Sequence, residues 1–228
     1  MYIPCMGIRT TVSPGILALL LLIMCAPGAS CLELTGGVRA GAAGSLFFGG
    51  WVDGLGAELT GLGAGMVTPR PYFTWRAGGY LDVTLLDFLS ARAELDLGPV
   101  GGALLASDGY DMLAGVTALE VALPVLAVAH VRTPVGDVLF SAGIFAAAAL
   151  PVRQVRNDGV VRIEGELASF LACAGLAGGV GFALPLASGA VVADLRILAS
   201  LFSIADPRLE GTFNTGSLEL TVGWEFWP

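Results

Sequence analysis

Arg92, Glu94 and Asp96, each two residues from the next, form the densest set of chemically able side chains in this sequence. Two carboxylates this close could act as a general acid and a general base if their surroundings pushed their protonation apart. The same spacing puts all three on one face of an extended strand, because successive side chains leave a pleated backbone on opposite sides. On such a face a guanidinium pairs with carboxylates in two-point geometry, so a salt network explains the trio better than acid–base chemistry does. Further charges fall into similar rows: Arg39, Arg76 with Asp82, Glu120, Asp194 with Arg196, and Glu219. Glu33 and Glu225 share the parity of Arg39 and Glu219 on their own stretches. His130 is the only histidine and no Ser/Asp set stands behind it to make a nucleophile and its base. With no CxxC and no Cys/His cluster, the residues point to no metal, no cofactor and no enzyme.

The elements that must hold these rows are strands. In residues 217–226, Leu218, Leu220, Val222, Trp224 and Phe226 alternate with Ser217, Glu219, Thr221, Gly223 and Glu225. Near position 75, Phe73, Trp75, Ala77, Gly79, Leu81 and Val83 oppose Thr74, Arg76, Gly78, Tyr80, Asp82 and Thr84. Ala91, Ala93, Leu95 and Leu97 oppose Arg92, Glu94 and Asp96, and Val191, Ala193, Leu195, Ile197 and Ala199 oppose Val192, Asp194, Arg196 and Ser200. One row of each strand is apolar and the other carries the charges.

Composition says where the apolar rows go. The 228 residues are 55% hydrophobic and 13% charged, with a net charge of -8; a soluble domain is nearer about a quarter charged, so much of this chain's surface meets something apolar. All basic residues are Arg, and the acidic balance excludes a nucleic-acid partner, which needs a basic footprint. Arg9, the apolar run 15–24 and the small residues around 26–30 read as a secretory signal over 1–30, leaving a single domain over 31–228. The apolar run is short for a membrane helix of roughly 20 residues. Cleavage after Ser30 would leave Cys31 first, which makes Cys31 a candidate lipidation site, although Gly28 stands where a lipobox carries Leu.

Along the mature chain the alternation predicts eight strands. The first runs to about Phe48, and the Gly-rich residues 49–70 read as the longest loop. A second opens at Pro71 and a third covers 91–97, with a loop at 106–111. The fourth spans 113–131, the fifth 138–152, the sixth 167–186, and the seventh and eighth close the chain; 153–166 reads as a charged hairpin loop and 206–214 as another. Short turns at 86–89, 133–137 and 188–189 alternate with longer connections, as an up-and-down barrel in an outer membrane requires. A helical membrane protein is the rival, because 138–152 and 167–193 carry no charge at all. Charges paired at i, i+2 and regularly spaced turns favour the barrel.

Gly78-Gly79-Tyr80 through Leu89-Ser90-Ala91-Arg92-Ala93-Glu94-Leu95, then Leu119-Glu120-Val121-Ala122-Leu123-Pro124, then 217–226, resemble the small eight-stranded outer-membrane β-barrels of the OmpA/OmpX/OmpW type. The family's outer-membrane β-barrel domain has a Gly/aromatic strand, a strand with lumenal Arg and Glu, a Pro-bearing strand and a closing strand at these places. Here the terminal aromatic is followed by Trp227-Pro228, a departure from the family's ending. The resemblance implies an all-β, eight-stranded antiparallel transmembrane barrel in the bacterial outer membrane, with outer-membrane lipids and the barrel-assembly machinery as partners. Arg39, Arg76, Asp82, Arg92, Glu94, Asp96, Glu120, Asp194, Arg196 and Glu219 are then expected in the lumen, which eight strands make just wide enough for side chains to fill. Trp75, Trp224 and Phe226 are expected at the lipid interface. The expected function is structural or surface contact through external loops, with a plugged lumen. The alternative that the OmpW likeness implies is a narrow path for small apolar solutes.

Overall fold

The computed structural model describes residues 33–61, 67–106, 113–157, 162–205 and 214–226. The expected signal segment 1–30, Cys31, most of the expected loops at 106–111 and 206–214, and Trp227-Pro228 lie outside them. The described chain contains strands β1 (Leu34–Phe48), β2 (Val67–Leu86), β3 (Leu89–Ala106), β4 (Leu113–Thr133), β5 (Gly136–Asn157), β6 (Arg162–Ala168), β7 (Leu171–Leu186), β8 (Gly189–Ala205) and β9 (Asn214–Phe226), with one helix, α1 (Gly50–Gly61). Neighbours follow the order β4-β3-β2-β1-β9-β8-β7-β5, and β5 pairs back onto β4, so the sheet closes. All the pairings are antiparallel. Closure leaves the backbone groups paired around the ring, which is what a sheet needs in a solvent that offers no hydrogen bonds.

The ring has eight positions because β6 and β7 share one. β7 pairs with the inner part of β5, as far as Ala149↔Leu171, and β6 takes over from Val152↔Ala168 outward. The β4–β5 ladder shifts its register over the same stretch. Pro151 stands at both breaks, and a proline has no N–H to give to a ladder. The single strand expected at 167–186 is therefore two segments.

Two expected loops are ordered structure. Residues 49–70 hold α1, entered through Gly49 at φ 111°, and β2 starts at Val67 rather than Pro71. Glycines at 50, 54, 56 and 61 argue against a helix by propensity; Val52, packed on the apolar cluster of Phe47, Val100 and Val116, outweighs them. The charged stretch 153–166 is mostly strand, with β5 running to Asn157 and β6 starting at Arg162. β2, β3, β4 and β5 are 18–22 residues long, about twice the 9–11 that cross a bilayer. Their far ends thus extend past the membrane on the side of the long connections. The other side has, among the described residues, the tight turns at 87–88, 134–135 and 187–188 and the two ends of the described chain.

Candidate functional site

The charged rows all point into the barrel. Arg39, Arg76, Arg92, Arg196, Asp82, Glu94, Asp96, Glu120, Asp194 and Glu219 are all buried. Strand alternation puts them there, and closure brings together rows that lie far apart in the chain. Arg39 on β1 grips Glu94 with both terminal nitrogens, at 3.1 and 2.8 Å, and also bonds Asp96 at 3.2 and 2.5 Å. Arg196 on β8 meets the same Glu94 from the opposite wall. Arg76 on β2 bonds Glu219 of β9 at 2.8 Å and Glu120 of β4 at 2.9 Å. β4 and β9 are four positions apart in a ring of eight, so this pair of contacts spans the diameter of the lumen. Nearer the tight turns, Arg92 bonds Asp82 at 2.8 Å, approaches Asp194 and Glu225 at 3.9 Å each, and lies 4.3 Å over the ring of Tyr80. Tyr80 donates to Glu225 at 3.1 Å.

The network is one-sided. Its long side chains grow from β1, β2, β3, β8 and β9, with only Glu120 from β4. The facing wall is apolar: Ala122, Leu126, Val128, Leu139, Phe145, Ala147, Cys173 and Ala177 form one cluster. The middle of β5, from Val138 to Val152, and the whole of β7 carry no charge, so the guanidinium and carboxylate groups pack against an uncharged wall. Glycines make room on the neighbouring strands as well. Gly223 sits across from Arg39, and a Cβ there would lie 2.9 Å from the Arg39 Cβ and collide with the Val38 carbonyl. Gly179 stands in the same relation to Arg196. Gly223→Val is therefore expected to displace Arg39 and lower stability by about 1–3 kcal/mol, the usual cost of overpacking. Denaturant titration in detergent checks this; an unchanged midpoint would show that Gly223 is not needed for space.

Outside, the polarity is reversed. Leu95, Leu123, Ile144, Leu176, Ile197 and Leu220 stand exposed on successive strands, Ile197 at 60% and Leu220 at 57%. A closed sheet with a continuous apolar exterior and a charged interior is inside-out for water and right for lipid. The protein is a transmembrane β-barrel of the outer-membrane type. No helix among the described residues is long and apolar enough to cross a membrane.

No protein-family model and no curated protein matches the chain. Solved structures do resemble it. One is Ail, the attachment invasion locus protein of Yersinia pestis, in complex with the heparin analogue sucrose octasulfate. It shows 11% identity, covers 86% of this chain and 100% of its own, and has a TM-score of 0.41. OprG of Pseudomonas aeruginosa shows 10% identity over 86% of this chain and 98% of its own, at a TM-score of 0.45. Neisserial surface protein A shows 11% identity over 84% and 97%, at 0.39.

Other singled-out residues fall as follows. Trp75 and Phe226 face outward and are exposed; Trp224 is half-buried on the same row as Phe226, beside the tight-turn end of β9. Glu33, placed on the inward row by parity, is exposed just before β1, and its carbonyl accepts from Thr84. Pairing of that end to β2 through the backbone leaves the Glu33 side chain in solvent. His130 has a neighbour the sequence did not suggest: its Nε2 lies 2.9 Å from the Ser90 hydroxyl. Ser90 is buried, and among the described residues no carboxylate bonds the imidazole, so the pair braces the turn end of β3 and β4 without the third member of a triad. Sequence reasoning also passed over Tyr80 as part of the charge network. Its parity with Arg76 and Asp82 was the available signal.

Proposed function

We propose that this barrel is a closed-lumen outer-membrane protein with a structural or surface-contact role, its ion-paired interior stiffening the wall that carries α1 and the tall β4–β5–β6 strands. The observation that carries this reading is Arg76 joined to Glu120 and Glu219 across the diameter. Eight strands leave room for little beyond side chains, and here the side chains lock to each other. Nearer the tight turns Arg92 reaches from β3 to within 3.9 Å of Asp194 on the opposite strand β8. Lipids surround the apolar exterior, the barrel-assembly machinery inserts it, and an external ligand meets the long-connection end.

The alternative, passage of small apolar solutes, gains support from one feature: an apolar recess between β1 and β2 at the long-connection end. That recess lies above the ion pairs, so such a path would run sideways into the membrane and not through the barrel.

Planar-bilayer recording tests closure. Wild type is expected to show conductance near zero, and Arg92→Ala, which removes the side chain holding Asp82 and stacking on Tyr80, is expected to raise it. Asp53→Asn on exposed α1 serves as the control and is expected to leave conductance unchanged. Porin-like conductance of wild type would refute the closed lumen.

A further inference from the structure

Among the described residues every strand but one has a partner on each side. The exception is β6, which pairs with β5 alone. The β7–β8 ladder stops at Leu171↔Ala205, whereas β6 meets β5 from Val152↔Ala168 outward, past that point. One edge of β6 is therefore left without a strand. Exposure shows that this edge stands clear. Glu164, Gly165 and Glu166 are all exposed. A strand packed on one face alternates between covered and open positions, so three open positions in a row mean that neither face is covered there. Gly165 has only backbone to expose, and a Cβ added to it would meet nothing within 4 Å. At Ala168, fully buried, the strand rejoins the barrel.

A bare strand edge presents a row of N–H and C=O groups that an extended chain can pair with. Proline and lysine, which blunt edges that must stay unpaired, are both missing from 162–168. Gly165 in the middle lets another backbone come close. The side chains select the partner. Glu164 and Glu166 are two residues apart and so share one face of the strand. Cross-strand neighbours on that face are favourable when basic and unfavourable when acidic. A second copy of β6 is a poor fit, because antiparallel pairing of Gly165 with its own counterpart would set Glu164 against Glu166 on both sides. Arg153 faces Glu166 across the β5 ladder and offsets part of its charge on the paired side; the open side has no strand among the described residues to supply a cation.

We propose that the open edge of β6 takes up an extended polypeptide segment as an added strand, with basic side chains at alternate positions against Glu164 and Glu166. The edge lies at the long-connection end, where the strands extend past the membrane, so it meets a partner in water. Backbone pairing supplies the attachment and the two carboxylates supply the choice of partner. The proposal rests on the surface-contact reading above and names the chemistry of what is contacted.

The probe is a short fluorescent peptide in which lysine and valine alternate, titrated onto the full-length mature protein in phosphatidylcholine nanodiscs and followed by anisotropy. Two further peptides run in parallel: the same sequence methylated on every backbone nitrogen, and a version with glutamate in place of lysine. Wild type is expected to bind the lysine peptide and neither of the others. Infrared spectra of the bound peptide, labelled at its carbonyl carbons, are expected to show the band of a paired strand. Glu164→Lys combined with Glu166→Lys is expected to reverse the preference, so that the glutamate peptide binds and the lysine peptide does not. Heat-modifiable migration of this variant shows that its barrel forms. No binding of the lysine peptide, equal binding of the methylated peptide, or an unchanged preference in the double variant would each overturn the proposal. Conductance of the same samples is recorded in planar bilayers, so a failure of the closed-lumen, surface-contact reading is seen apart from a failure to bind peptide.

Discussion

Arg39→Ala is expected to destabilise the barrel by about 3–5 kcal/mol, the usual cost of removing one partner from a buried ion pair. The reason lies in what is left behind. Glu94 keeps Arg196, but Asp96 takes its ion pair from Arg39 and is almost fully buried. Loss of the side chain also empties volume at the middle of the lumen, so single-channel conductance should rise above the wild-type level. Six buried carboxylates already outnumber four buried guanidiniums, so the leak should prefer cations. A second variant separates charge from volume: Arg39→Met combined with Asp96→Leu removes both charges and keeps most of the bulk. Replacing a buried pair by apolar groups of similar size is often neutral, and this double variant should recover most of the stability while conducting little. The measurements are a denaturant titration in detergent and bilayer recording under a salt gradient. An Arg39→Ala barrel as stable and as silent as wild type would sink the idea that the ion pairs close the lumen.

Leu220→Arg is expected to be nearly as damaging, although the side chain it replaces is 57% exposed. On a water-soluble barrel this substitution would change stability by no more than about 0.5 kcal/mol. Leu220 lies at the centre of β9, between Ala42 of β1 and Leu195 of β8 on the outward rows. In lipid, an arginine at mid-depth costs about 2–4 kcal/mol, falling towards zero near the interfaces. The same change at Phe226, beside the tight-turn end, should therefore cost much less. Folding titrations into phosphatidylcholine vesicles measure both. Equal costs at the two positions would contradict the depth assigned to this strand.

Much of this barrel was legible in the order of residues, and the reason is geometric. A strand alternates its faces strictly, so the parity of Arg92, Glu94 and Asp96, or of Asp194 and Arg196, decides which side they take once one side is known to be apolar. Parity also carries the outward rows Leu218–Leu220–Val222 and Leu195–Ile197. The tight turns near 87, 134 and 188 follow from short connections between those rows. The signal segment and Cys31 rest on the sequence alone, since they lie outside the described residues. Residues 138–152 and 167–193 were the ambiguous part, because uncharged runs fit a buried helix as well as a strand.

Tertiary structure decided what parity cannot express. Parity says that Arg76 points inward but not that it meets Glu120 and Glu219; that depends on which strands become diametric when the sheet closes. Closure also explains the uncharged runs: the inward residues of β7 and of the middle of β5 are apolar because they complete the wall against which the charged side chains of the other strands pack. The helix in 50–61 was hidden because its glycines argue against it, whereas packing of Val52 on the barrel end, a tertiary contact, favours it. The parting of β1 from β2 beyond Ser45↔Tyr72 belongs to the same class. Pro69 and Pro71 are visible in the sequence, but whether they face a partner or an opening is settled by register, which is a relation between strands and not a property of either one.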